Sequence, residues 1–299
     1  MNEEQLLERL RAIDAEQREG LCLYALLDNA IYAGATVDEA GRPYGDLALV
    51  LADAKLESLF VYAFDDEHTD ASPLLVSVRD LDGDLSKRIA TLAVRYHLAS
   101  WIWSPLPASA LARHLASFIR AKFGDTAAVL RPYDPRIMEE TIACLDPAKQ
   151  AALWEPVHAW ACFDESNEVK LLQRPEAQPA VDIAVPLVLN ESEQKRFEEL
   201  ANRIALGTYI EAQAPSIVES LSPAQRKEFC VQQLEIGERL RVYSMGELLI
   251  VAALSGAYGW QWIDDKRIEP MVQAVASGTA SLASVASDIG DVLAHRSSP

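Results

Sequence analysis

The stretch from residue 127 to residue 136 constrains the fold more than any other part of the chain. Four apolar residues at 127–130 are followed closely by Pro132, which has no N–H to give to a sheet, so the pattern predicts a short buried strand that ends in a polar turn. Asp134 then suits the N-cap of a helix over 135–145, with a proline at its first position. Asp146 and the proline after it repeat this chemistry and predict a second helix over 147–154.

Strand-like and helical patterns alternate through the first half of the chain. The apolar run at 21–27 is typical of a strand that is covered on both faces of its sheet. Alternation of this kind predicts an α/β lobe with a mixed sheet flanked by helices. The predicted helices are 4–19, 85–96 and 109–122; the predicted strands are 21–27, 59–64, 74–78, 98–103 and an edge hairpin of 161–163 with 169–172; the form of the strand-like run 47–51 stays open.

The polar segment 174–179 contains two prolines, which make a stiff connector, and the composition changes beyond it. We therefore place an α/β domain at 1–178 and a helical domain at 179–299. Three pairs in the second part have the spacing of a capping box: Asn190 with Glu193, Ser222 with Gln225, and Ser244 with Glu247. The helices predicted there are 193–212, 223–242, 246–258 and 272–293, so the second lobe is expected to be all-α.

The charge and the cysteines exclude several classes of protein. The chain carries a net charge of −18, which would repel phosphate and argues against binding of nucleic acid. The four cysteines lie far apart, without the spacing of a zinc ribbon or a disulfide framework. The first residues are acidic and polar, unlike a signal peptide, and no run approaches the roughly 20 apolar residues of a membrane span. We expect a cytoplasmic protein without stable membrane insertion.

Three short segments together resemble the core motif of the adaptor-chaperone family of bacterial type VI secretion. In that family a strand ending in Arg-x-Tyr-Asp-Pro-Arg precedes a Leu-Asp-Pro helix and a tryptophan. The opening strand of the family, Tyr-Ala-Leu-Leu-Asp, is matched here by the five residues that end at Asp28. The other matches are Leu130-Arg131-Pro132-Tyr133-Asp134-Pro135-Arg136, Leu145-Asp146-Pro147, Gln150 and Trp160. Pro132 departs from the bulkier apolar residue that is more usual there.

The resemblance implies a function without catalysis. Members of this family bind the N-terminal part of a secreted toxin effector, often a transmembrane segment or a PAAR or Rhs region, and load it onto the VgrG spike protein. It also implies an α/β lobe followed by a helical lobe. The spacing of the cysteines and histidines indicates no metal site, and we expect no cofactor. The residues that it marks as the scaffold or rim of a partner-binding site are Asp28, Arg131, Tyr133, Asp134, Arg136 and Trp160.

The residues themselves leave one enzymatic alternative open. The chain has no nucleophile elbow, no phosphate-binding glycine loop and no zinc-protease motif, and its five histidines lack the spacing of metal ligands. Asp28 and Asp134, however, both follow predicted strands, where α/β sheets place their ligands. With Arg131 and His158 they could form the acid–base set of a hydrolase. In the competing interpretation Asp134 caps a helix and the arginines pair with carboxylates.

Overall fold

The structure, a computed structural model, describes residues 1–17, 20–36, 45–64, 71–164, 167–172, 174 and 182–295. The chain forms two compact units, Met1–Phe197 and Glu198–Pro299. The domain boundary predicted at 178/179 lies outside the described residues. The two units divide within one long helix, Glu191–Gln213, whose first residues belong to the first unit.

The first unit is the expected α/β lobe. Its helices are α1 (Glu3–Glu16), α2 (Asn29–Ala35), α3 (Leu47–Val50), α4 (Leu59–Phe64), α5 (Asp84–Tyr96), α6 (Ala108–Ala116), α7 (Met138–Cys144) and α8 (Pro147–Trp154). Its strands are β1 (Cys22–Asp28), β2 (Leu56–Ser58), β3 (Pro73–Val78), β4 (Ala99–Ser104), β5 (Arg120–Phe123), β6 (Thr126–Val129), β7 (Ala159–Phe163), β8 (Val169–Leu172) and β9 (Leu187–Val188).

Six strands form the main sheet in the order β2-β3-β1-β4-β7-β8, and every neighbouring pair is antiparallel. The predicted edge hairpin is confirmed as β7 and β8. A second, mixed sheet has the order β6-β5-β9, with β6 antiparallel and β9 parallel to β5.

The strand β1 is buried on both faces, as its apolar run predicts. Tyr24 and Leu26 point into a core that contains Trp160, while Leu23 and Leu27 point into a second core that contains Trp101. Side chains alternate across a strand, so a run without polar residues supplies both cores at once. Helices α1 and α5 pack together over one core, and α4 packs on α6 over the other.

Three local predictions in this unit are wrong. Residues 59–64 form the helix α4 and not a strand, because a short apolar run does not distinguish the two forms. The helix predicted over 109–122 ends at Ala116, and residues 120–123 instead pair with β6. The first predicted helix of the motif, placed at 135–145, begins instead at Met138, with Ile137 at its N-cap, so Asp134 does not cap it. The short strand-like run at 47–51 is helical over its first four residues.

The strand of the motif, β6, is also more exposed than predicted. It lies at the edge of the small sheet, and 53% of Val129 is accessible to solvent. Ala128 packs against the core while only partly buried, and Leu130, the residue after β6, is buried in it. By contrast, the prediction for the following helix is confirmed: Asp146 accepts a hydrogen bond from the backbone N–H of Lys149 and caps α8, which starts at Pro147.

In the second unit, the described residues form helices joined by turns and no strand. The long helix α9 (Glu191–Gln213) is followed by α10 (Pro223–Leu240), α11 (Met245–Tyr258), α12 (Glu269–Ala276) and α13 (Leu282–Ala294). The first two predicted capping boxes form, and Ser244 caps α11. The helix predicted over 272–293 is divided by a turn at Gly278, whose φ of +74° favours glycine.

No single helix in the described part of the chain has both the length and the apolar character needed to cross a membrane. Helices α10 and α11, bent by 114° at their junction, meet those two criteria only when they are taken together.

Candidate functional site

The candidate site lies where β1 ends. Asp28 is the last residue of that strand and its side chain is fully buried. One carboxylate oxygen, Oδ1, accepts hydrogen bonds from the backbone N–H groups of Ala30 (3.0 Å) and Ile31 (3.3 Å), and so caps the short helix α2. The other oxygen, Oδ2, accepts a hydrogen bond from Nη2 of Arg131 at 2.6 Å. The end of a central strand thus carries a buried charge that a residue 103 positions away neutralises.

The loop that supplies Arg131 is folded around Asp134. Oδ1 of Asp134 accepts from both the backbone N–H (3.1 Å) and the Nε (2.9 Å) of Arg136, and Oδ2 accepts from Nη2 of Arg136 at 2.8 Å. An aspartate side chain that accepts from the backbone N–H two residues later makes a tight turn. The bidentate contact of Arg136 with Asp134 also fixes the orientation of the two side chains. Nη2 of Arg131 lies 3.3 Å from the same Oδ2. We call Asp28, Arg131, Asp134 and Arg136 the ion-pair cluster.

Tyr133 fills the space beneath the ion-pair cluster. Its side chain is almost fully buried and meets the ring of Phe60 edge to face, with 6.4 Å between the ring centroids. The guanidinium carbon of Arg131 lies 5.7 Å from the centre of the tyrosine ring, within range of a cation–π contact. Burial raises the pKa of the Tyr133 hydroxyl, and the charge of Asp28 raises it further. Tyr133 is therefore a protonated core residue.

The electrostatics of the ion-pair cluster are balanced, with two carboxylates facing two guanidiniums. Burial raises the pKa of Asp28; the charge of Arg131 opposes this shift, and that of Asp134 reinforces it. Burial disfavours the charged form of Arg131, but the carboxylates of Asp28 and Asp134 outweigh burial and raise its pKa. All four carboxylate oxygens accept hydrogen bonds from the chain itself. The ion-pair cluster therefore holds the loop that carries Arg131, Asp134 and Arg136 against the end of β1.

His158 lies at the other end of the sheet from Asp28. Its backbone N–H donates to the carbonyl of Trp103 at 2.9 Å, and Trp103 pairs with Leu23 near the start of β1. Asp28 lies five positions after Leu23 in β1, which corresponds to about 17 Å along the strand. The acid–base set of Asp28, Asp134 and His158 is therefore not assembled, although Asp28 and Asp134 do meet through Arg131.

Trp160 belongs to the core and not to the surface. Its side chain is 1% exposed, and its Nε1–H donates to the hydroxyl of Ser100 at 3.0 Å. Its ring meets Trp154 edge to face. Of the six residues marked by the resemblance, only Arg131 and Arg136 present a substantial part of their side chains to solvent, 36% and 54% respectively.

One residue that the sequence did not single out for this site supports the Leu-Asp-Pro part of the motif. Glu193 is fully buried, and its carboxylate accepts from the backbone N–H of Asp146 (2.8 Å), the backbone N–H of Asn190 (2.8 Å) and Nζ of Lys149 (2.6 Å). The capping box at Asn190 predicts where the helix starts. It does not predict that Glu193 also accepts hydrogen bonds from Asp146 and Lys149. Glu193 thereby fixes the start of α9 against the start of α8.

A cavity of about 750 Å³ lies at the opposite end of β1, away from the ion-pair cluster. Cys22 and Tyr24 of β1 contribute to its wall, together with charged side chains that include Lys55 and Arg79. The hydroxyl of Tyr24 donates to the carbonyl of Leu106 at 2.6 Å, and burial raises its pKa to about 12. Among the residues that the structure describes, no group of three or more His, Cys, Asp or Glu side chains is placed to hold a metal ion.

Comparison with known families gives one match. Residues 23–152 match the model of a family described as a domain of unknown function (DUF4123). The matched segment runs from β1 into α8, so it contains the whole ion-pair cluster and the Leu145-Asp146-Pro147 turn, but not Trp160 or Glu193. Searches of curated proteins and of solved structures gave no match.

Proposed function

We propose that this chain is a non-catalytic adaptor that binds a type VI secretion effector in the cytoplasm and loads it onto the VgrG spike protein. The cargo would be the N-terminal part of the effector, a PAAR or Rhs region or a transmembrane segment. The motif resemblance supplies this identity, and the match of residues 23–152 to one family model is compatible with it.

The observation that carries the proposal is the state of the two motif carboxylates. Asp28 and Asp134 are buried, and each of their oxygens already accepts a hydrogen bond. A general base needs an accessible oxygen within reach of the proton that it removes. Because the ion-pair cluster has no such oxygen and His158 lies far from it, the geometry favours a scaffold over an acid–base catalyst.

The exposed half of the Arg136 side chain is the part of the ion-pair cluster best placed to touch a partner. Arginine is enriched at the energetic centres of protein interfaces, because its planar fork makes several hydrogen bonds at once. Arg131 contributes less surface, since 36% of its side chain is exposed, against 54% for Arg136. We expect Arg136 to lie at the rim of the effector site, with Tyr133 and Asp134 supporting it from below.

The test is affinity purification of the tagged full chain from cells that are actively secreting, with mass spectrometry of the bound proteins. We expect an effector in stoichiometric amounts, and VgrG when all three proteins are co-expressed. A chain that emerges without a partner under these conditions would refute the adaptor function.

The variant Arg136→Ala tests the assigned rim. A matched control is Arg239→Ala, which removes an arginine that is exposed to a similar extent (51%) and pairs with Asp264 at 2.6 Å in the second unit. We expect Arg136→Ala to reduce effector recovery while Arg239→Ala does not, with both variants folded by circular dichroism. Equal recovery by the two variants would show that Arg136 is not part of the site.

A further inference from the structure

The strand β6 presents a free edge to solvent. Leu130 donates its backbone N–H to the carbonyl of Ile119 at 2.7 Å, and the register continues through Ala128 opposite Ala121. Residues in an antiparallel pair alternate between bonded and non-bonded positions. The N–H and C=O groups of Ala127 and Val129 therefore point away from β5.

No described residue bonds to the outward groups of this edge. No hydrogen bond of Ala127 or Val129 to a loop or helix occurs in the described ranges, and Thr126, Ala127 and Val129 are all exposed. Native proteins protect such an edge by keeping the strand short or by placing a lysine, a proline or a bulge in it. The strand β6 is short, with four residues, but its sequence Thr-Ala-Ala-Val contains no lysine or proline and includes two residues that favour strands.

The charge around the edge indicates what kind of chain would bind there. Side chains of directly opposed residues share a face, so Lys122 stands between Ala127 of β6 and Val188 of β9 on the outer face of the small sheet. Lys122 is exposed, and its side chain makes no ion pair or hydrogen bond with a described residue. Val129 and Val188, which are 53% and 59% exposed, give this face an apolar surface on either side of the cation.

A second copy of the chain is a poor occupant for this edge. Each copy carries a net charge of −18, so pairing of two whole copies would bring large like charges together, whereas a short segment brings only the few charges of its own side chains. A foreign segment with apolar residues and an acidic side chain suits both the valines and Lys122. Binding by strand addition takes its affinity from the main chain and its selectivity from alternate side chains.

We propose that the free edge of β6 takes up an extended, acidic segment of a partner protein as an additional strand of the small sheet. That this partner is an effector rests on the proposed adaptor function. That the edge of β6 binds an added strand is argued independently of that function. Arg131 of the ion-pair cluster comes two residues after Val129. A strand added here would therefore lie beside the loop that carries Arg131 and Arg136.

The decisive pair of variants is Ala127→Pro and Ala127→Val. Proline removes the outward N–H and fixes φ at about −65°, which an edge strand tolerates, whereas valine keeps the N–H and has a similar volume. Both are tested in the full chain against two ligands: the effector recovered by affinity purification, and an end-blocked peptide of nine alternating valine and glutamate residues. We expect Ala127→Pro to weaken both complexes about tenfold, the effect of one lost main-chain hydrogen bond and some misfit, and Ala127→Val to change them less than about twofold.

Two controls accompany this pair. Ala128→Pro removes the N–H that donates to β5 and should lower the melting temperature. Both Ala127 variants should leave the melting temperature unchanged. The reverse pattern would show that Ala127, and not Ala128, bonds to β5. Lys122→Glu should weaken binding of the acidic peptide, and the exposed Lys266→Glu in the second unit should not. Equal effects of the two lysine variants would refute an acidic segment beside Lys122.

The two proposals fail separately. If the effector binds Ala127→Pro and Ala127→Val equally well, the edge proposal is wrong and the adaptor function stands. If no effector is recovered but the peptide distinguishes the two variants, the adaptor function is wrong and the edge stands. If neither ligand distinguishes them, the edge proposal is refuted.

Discussion

Removal of Arg131 tests the central claim about the ion-pair cluster. The substitution Arg131→Met keeps much of the side-chain volume but deletes the 2.6 Å contact to Asp28, the 3.3 Å contact to Asp134 and the stacking on Tyr133. Asp134 keeps its contacts with Arg136. Asp28 keeps only its two backbone donors, so a fully buried carboxylate loses its counter-ion.

The expected loss of stability follows from the burial of the two partners. Deleting one partner of a buried ion pair costs about 3–5 kcal/mol. The side chain of Arg131 is 36% exposed, so water screens part of the interaction and we reduce the expected loss to about 2 kcal/mol. In an Asp28→Asn background the same substitution should cost less than about 1 kcal/mol, because asparagine still caps α2 but carries no charge.

The loss should also depend on pH. Burial raises the pKa of Asp28, and Arg131 is the neighbour that lowers it, so Arg131→Met raises it further. The folded state then binds the proton more tightly than the unfolded state, whose carboxyl titrates at about pH 4. The contribution of Asp28 to the free energy of unfolding of Arg131→Met is therefore highest below about pH 4, where Asp28 is protonated in both states. It falls as the pH rises through the folded-state pKa, because the buried carboxyl must then lose its proton. The destabilisation is therefore largest at neutral pH and shrinks toward acid.

Urea unfolding, followed through the amide exchange of Leu26 and Leu27 in β1, measures the stability of the first unit by itself. Four proteins are compared at neutral pH and at about pH 5: wild type, Arg131→Met, Asp28→Asn and the double variant. A loss that is the same in both backgrounds and at both pH values would show that Asp28 does not depend on Arg131, and the description of the ion-pair cluster would be wrong.

Three further predictions concern other parts of the chain. Glu193→Ala should cost about 3 kcal/mol in urea unfolding, because it leaves the largely buried ammonium of Lys149 with Asp146 as its remaining ion-pair partner and removes the acceptor of the backbone N–H groups of Asp146 and Asn190. In the native chain only Cys22 should react quickly with Ellman's reagent, since the other three cysteines are buried, and Cys22→Ser should abolish the fast phase. Gly237→Ala should lower the melting temperature despite the better helix propensity of alanine, because the new Cβ would lie 2.6 Å from Cδ2 of Leu248.

Features that depend on neighbouring residues could be predicted from the sequence. The cap at Asp146, the capping boxes at Asn190 and Ser222, and the doubly covered strand β1 each follow from a few consecutive side chains. The α/β lobe and the all-α lobe follow from the same local patterns.

Features that depend on distant pairing could not be predicted. Residues 120–123 continue the helical pattern of α6, yet they pair with β6 on one side and β9 on the other, which makes them a strand. Asp134 has the sequence of an N-cap, but Arg131 and Arg136 take both of its oxygens before the helix begins. The sequence does not separate His158 from Asp28, because only the register of β4 on β1 reveals that they lie at opposite ends of the sheet.

The ion-pair cluster is better explained by specificity than by stability. Replacement of buried ion pairs by apolar residues is often neutral or stabilising, so four charges around Tyr133 are a costly way to fill a core. Their hydrogen bonds, however, permit one geometry of the loop: Arg131 must reach the end of β1, and Arg136 must fold back onto Asp134. That loop begins directly after β6. An apolar loop could pack in several positions, and the free edge of β6 would shift with it. The ion pairs hold both Arg136 and this edge at a fixed position relative to β1. A recognition surface requires such a fixed geometry.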